Sequence, residues 1–112
     1  MMPIVCSFII KGTRIMEELC KILCEKFEMN VVKKGEYKGS YSFTTPKNER
    51  WYLYSESDHY IFVLDNDNDF YSIVDTNDLK KAKQILCEFV NHNGLYKELS
   101  YNVKNDIYDV IY

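Results

Sequence analysis

From Trp51 to Val74 the chain reads Trp-Tyr-Leu-Tyr-Ser-Glu-Ser-Asp-His-Tyr-Ile-Phe-Val-Leu-Asp-Asn-Asp-Asn-Asp-Phe-Tyr-Ser-Ile-Val. Trp51 and Leu53 alternate with Tyr52 and Tyr54; Tyr60, Phe62 and Leu64 alternate with Ile61 and Val63. A period of two puts successive side chains on opposite faces of a strand, so the stretch predicts sheet. Ser55 to Asp58 and Asp65 to Asp69 are turn-forming clusters that cut it into strands. Connections this short join antiparallel neighbours, so the reading is a meander of hairpins.

Working outward, Tyr41 and Phe43 alternate with Ser40, Ser42 and Thr44, and Pro46-Lys47-Asn48 supplies another turn. On the N-terminal side, residues 4–10 form a β-branched run that ends at Lys11-Gly12, which predicts a buried strand. Thr13 is the expected N-cap of a helix over about 14–28, whose apolar stripe is Ile15, Met16, Leu19, Cys20, Leu23 and Phe27. Asp75 to Asp78 offer caps for a second helix over about 79–91, with Leu79, Ala82, Ile85, Leu86, Phe89 and Val90 inward and Gly94 as the stop. Residues 95–99 suit a helical turn, and 107–112 an extra C-terminal strand. The expected order is β-α-β-β-β-β-α: one α+β domain over residues 1–112, an antiparallel four- to five-stranded sheet with two helices. The connection through the first helix should be right-handed if the strands it joins are parallel neighbours.

The charge is segregated. Residues 52–79 carry seven acids and no lysine or arginine, although the whole chain is only −3. Aromatic residues, 15% of the chain, interleave with those acids. Such a surface suits a basic partner. The candidate contact residues are Asp58, Asp65, Asp67 and Asp69 for steering, with Tyr60, Tyr71 and Trp51 as anchors.

Other constellations carry less chemistry. Asp65 to Asp69 resembles the opening of a calcium loop, but Phe70 and Thr76 stand where an EF-hand needs Gly and Glu, and the flanks read as strands. Cys6, Cys20, Cys24 and Cys87 lie in apolar patterns without a Cys-x-x-Cys knuckle, which predicts reduced, buried thiols and no zinc. His59 follows Asp58, yet neighbours on a strand point apart, so they make no base–orienter pair. The glycines are too scattered for a phosphate loop. Lys33, Lys34 and Lys38 with Tyr37 form a patch too short to bind nucleic acid directly. No apolar run reaches the ~18–20 residues of a membrane helix, and the N-terminus lacks the pattern of a secretory leader.

These features lead to an expectation of no catalysis, no cofactor and no metal. The first functional expectation is a small cytoplasmic inhibitor, acting in a host's cytoplasm if the gene is viral. It would be of the immunity type, or a viral or phage anti-defence protein, covering the basic surface of another protein, for instance one that itself binds nucleic acid. The alternatives are a small-molecule or enzyme-accessory domain with a Tyr- and Cys-lined pocket, and a chaperone-like homodimer joined through an exposed strand.

Overall fold

The computed structural model describes residues 14–112, with side chains from Met16 onward. The strand expected over residues 4–10, its crossover, Cys6 and the Thr13 cap lie outside the described residues. Helix α1 spans Arg14–Cys24. Five strands follow: β1 Asn30–Val31, β2 Tyr41–Thr44, β3 Arg50–Glu56, β4 His59–Asn66 and β5 Asp69–Thr76. They form one antiparallel sheet in chain order. Helix α2 spans Leu79–Asn91, and β6 Glu98–Asn102 pairs with β7 Ile107–Ile111 in a separate hairpin. The α+β meander is therefore present. The C-terminal region adds a hairpin, and 98–102 is strand where a helical turn at 95–99 had been expected.

Turn chemistry sets the registers. The β3–β4 turn places Ser57 and Asp58 at positive φ (51° and 65°), as a two-residue hairpin with matching strand twist requires. In β4 and β5 a shift opposite Phe62/Val63 leaves Ile73 and Val74 both buried, the signature of a bulge.

Parity divides the sheet. Tyr41, Phe43, Trp51, Leu53, Phe62, Leu64 and Val74 join the core beneath the helices, together with Met16, Leu19, Leu23, Phe27, Ala82, Leu86 and Phe89. Ile85, expected in the core, is only partly buried against it; it lines a shallow recess with Tyr108 and Val110 of the C-terminal hairpin. Ile61 and Val63 point the other way and are buried without joining that core.

Both helix ends have local causes. Helix α1 stops earlier than expected: Lys26 N–H bonds Leu23 C=O (3.2 Å) three residues back, tightening the last turn. Phe27 N–H shares the same Leu23 carbonyl at 2.9 Å, and its ring stacks on Phe43 at 4.5 Å. Helix α2 begins as expected, with the Asp78 carboxylate accepting the N–H of Lys81 at 3.2 Å. It is capped at His92, and Asn93 and Gly94 then turn left-handed, with φ of 57° and 72°; a Cβ on Gly94 would lie 2.9 Å from Phe27 Cζ. At position 94 glycine suits both the backbone and the space.

The cysteines are not uniform. Cys24 is disulfide-bonded, which corrects the expectation of four reduced thiols. It is the last residue of α1 and only half-buried, so a second sulfur can reach it. Such a bond is commoner in an oxidising compartment than in the cytosol. Cys20 is fully buried, and burial, then the charge of Glu17, pushes its thiol up to about 12. Cys87 is exposed. Because the thiolate is the reactive form, alkylation of the native protein should modify Cys87 and spare Cys20. Peptide mass spectrometry after pulsed labelling checks this; Cys20 modified as fast as Cys87 would contradict it.

Candidate functional site

The strand parity that builds the core removes most of the expected anchors. Trp51 is 0% exposed, stacked on Phe62 at 4.9 Å, so it cannot anchor a partner and is corrected to a core residue. Tyr60 and Tyr71 are half-buried on the same helix-covered side and pack against the core. Tyr71 meets Tyr108 of β7 edge to face at 4.8 Å.

The expected acids are also separated. Asp58 sits in the β3–β4 turn, whereas Asp67 and Asp69 flank the β4–β5 turn at the other end of an eight-residue strand. At ~3.3 Å per residue these ends lie roughly 25 Å apart. Asp65, Asp67 and Asp69 border an open polar cleft with Lys47 and Asn48 of the β2–β3 turn and Arg50 at the start of β3. Cations therefore stand beside that acidic turn. Its flanks are strands, so the calcium-loop likeness does not extend to the fold. Among the described residues no group of three His, Cys, Asp or Glu is placed to hold a metal ion.

The opposite face of the sheet holds a different constellation. Residues 32–40, between β1 and β2, form a loop closed on itself: Gly39 N–H bonds Val32 C=O at 2.8 Å, and Val32 N–H bonds Ser40 C=O at 2.9 Å. Gly39, at φ +91°, supplies the left-handed step this closure needs. The buried Ser40 hydroxyl donates to the carbonyl of Tyr37. Held in this way, Tyr37 lies flat on Tyr52, ring centroids 3.9 Å apart and planes 12° from parallel. Its ring is 5.9 Å from that of Tyr54, and its hydroxyl donates to Asp65 Oδ2 at 2.7 Å. Val63 and Ile61, the cross-strand partners of Tyr52 and Tyr54, are the buried floor of this cluster.

Carboxylates surround the rings. The Tyr54 hydroxyl is pushed up, first by burial and then by the charges of Glu56, Asp75, Glu36 and Asp65. Burial likewise raises Tyr37, helped by its hydrogen bond to Asp65. His59 Nδ1 lies 2.6 Å from Asp75 Oδ1 at the edge of the cluster, so the partner of His59 is this distant acid and not Asp58. A cavity of about 480 Å³ opens beside the rings, lined by Glu36, Tyr37, Lys38, Tyr54, Glu56 and Phe70 among others. Phe70 is 54% exposed.

Of the site residues expected from sequence, Asp65 alone touches this cluster. Tyr37, Tyr52, Tyr54, Glu36, Glu56 and Asp75 were missed. The alternation had already set Tyr52 and Tyr54 opposite Trp51 and Leu53, which was the available signal. Tyr37 had been read only as part of the Lys33, Lys34 and Lys38 patch; the bracket of Gly35 and Gly39 was its further signal. Comparisons with known protein families, with curated proteins and with solved structures each found no match.

Proposed function

We propose that the protein is a protein-binding inhibitor whose open sheet face, with tyrosines at its centre and carboxylates at its rim, covers a basic site on another protein. The supporting observation is the Tyr37–Tyr52–Tyr54 cluster held by its loop, with Glu36, Glu56, Asp65 and Asp75 acting on it and Lys38 on the same cavity. Tyrosine anchors provide contact area at low ordering cost, and surrounding acids select and steer a cationic surface. Immunity-type and viral or phage anti-defence proteins are the classes this reading favours. The proposed setting is the cytoplasm, a host's if the gene is viral; an intact Cys24 disulfide in the protein isolated from its native cell would point instead to an oxidising compartment. Among the described residues no helix is long and apolar enough to cross a membrane.

Affinity capture from native or host extract, with the parent and Tyr54→Ala side by side, tests the proposal. A protein with a basic surface should be recovered by the parent and lost by the variant, with the circular dichroism of the two alike. Equal recovery by both would remove the open face from the contact. A second reading, a small-molecule site, is favoured by the 480 Å³ cavity, which is large enough for a metabolite. Salt separates the two: rising ionic strength weakens a charge-steered protein contact and leaves an apolar ligand bound.

A further inference from the structure

We infer that the cavity between the 32–40 loop and Tyr54 is a receptor for one arginine side chain of the partner, its guanidinium set among the rings of Tyr37, Tyr54 and Phe70 and the carboxylates of Glu36 and Glu56. The inference rests on the protein-binding reading of the open face and adds the chemical group recognised. Three features of the site point to this occupant.

The lining combines aromatic faces and carboxylates, the two surfaces that a planar, delocalised cation meets at once, with Met16 and Leu53 from the helix side beside the aliphatic stem. An apolar side chain would leave the exposed rim carboxylates Glu36 and Glu56 unused, and an anion would be repelled by them. Lys38 also lines the cavity and offsets part of that charge. Asp75 and Asp65 act on Tyr54 across the same face and restore the negative field. The receptor is also pre-organised: the loop bonds of Val32, Gly39 and Ser40 and the Tyr37–Asp65 bond fix the rings before any partner arrives. Little ordering cost then remains for binding. The volume exceeds one side chain and leaves room for flanking partner backbone.

Guanidinium is favoured over ammonium for a geometric reason. It stacks flat on a ring while its edge donates two parallel hydrogen bonds to a carboxylate, whereas lysine presents a compact, strongly hydrated charge.

The test is a titration of the full chain with N-acetyl-arginine amide, followed by NMR. The same titration with blocked lysine and with blocked citrulline, which keeps the shape and lacks the charge, provides the comparison. Saturable shifts should appear at Tyr37, Tyr54 and Phe70, with citrulline weaker by about tenfold or more, as loss of a charge-assisted bond implies. Glu36→Gln with Glu56→Gln should weaken arginine to a similar extent; both residues are exposed, and retained Tyr37 and Tyr52 signals show an intact loop. Equal binding of citrulline or lysine would overturn the inference, as would shifts that fail to saturate or that centre on Asp67 and Asp69. Should capture of a partner depend on Tyr54 while blocked arginine leaves the cavity unshifted, the inference falls and the protein-binding reading stands. Should capture be indifferent to Tyr54, the reading itself fails.

Discussion

Replacing Phe89 by alanine should destabilise the protein by about 3–5 kcal/mol, the usual cost of removing a fully buried phenylalanine. Phe89 lies where α2 meets the sheet, and its ring edges face Trp51 at 4.9 Å and Phe62 at 5.3 Å. Phe27 at 5.9 Å and Phe43 at 6.3 Å complete the cluster. Aromatic pairs in these geometries add to the burial of area, and the rings cannot all move inward to fill the space. Set against a total stability of roughly 5–15 kcal/mol, this is a large fraction. Thermal unfolding should move down by about 10 °C or more. Phe70→Ala is the matched control: it removes the same ring from an exposed position and should change stability by about 0.5 kcal/mol or less. A Phe89→Ala protein that melts with the parent would mean that α2 does not cover the sheet with this face.

Association with the captured partner should slow by about tenfold to a hundredfold at low salt when Glu36 and Glu56 are both changed to lysine. These carboxylates sit on the rim of the tyrosine cluster, so their reversal changes the sign of the local field that an approaching cation meets. Asp67→Lys with Asp69→Lys should act more weakly, because Lys47 and Arg50 already stand beside that turn. Asp65 is kept in both variants, since its carboxylate holds the Tyr37 hydroxyl. The difference should shrink at high salt, when exposed charges are screened beyond about a Debye length of 3–10 Å. Stopped-flow kinetics at two ionic strengths provides the measurement. A turn variant slower than the rim variant would move the contact to the end of the sheet.

Much of the fold was legible because it depends on short-range rules. Asp78 as cap, Gly94 as stop and the period-two run from Trp51 were all visible in local chemistry. The end of α1 was not, because Phe27, just beyond it, stacks on Phe43, a residue sixteen positions away. The site was less legible for the same reason. Acids and aromatics interleave along residues 52–79, but interleaving in sequence means opposite faces in a strand. Trp51, Tyr60 and Tyr71 therefore went under the helices while Tyr52 and Tyr54 stayed outside. Asp58 and Asp67, nine positions apart, were carried to opposite ends by the strand between them. Tyr37 reaches the site through a loop closure that no periodicity encodes.

The borders of the sheet bear on how the molecule avoids its own kind. Among the described residues one border is β1, only two residues long. The other, β5, is bent by the irregularity opposite Val63, carries Asp69 and Asp75, and has β7 of the C-terminal hairpin packed close against it. A short border, a bent one and acids along it are all poor templates for a further strand. Chains crowded together in a cell would then repel each other edge to edge, and end-to-end growth into fibres is discouraged. Under the proposed function, recognition would fall to side chains on a face, where identity is read residue by residue, and not to backbone pairing, which accepts almost any extended peptide.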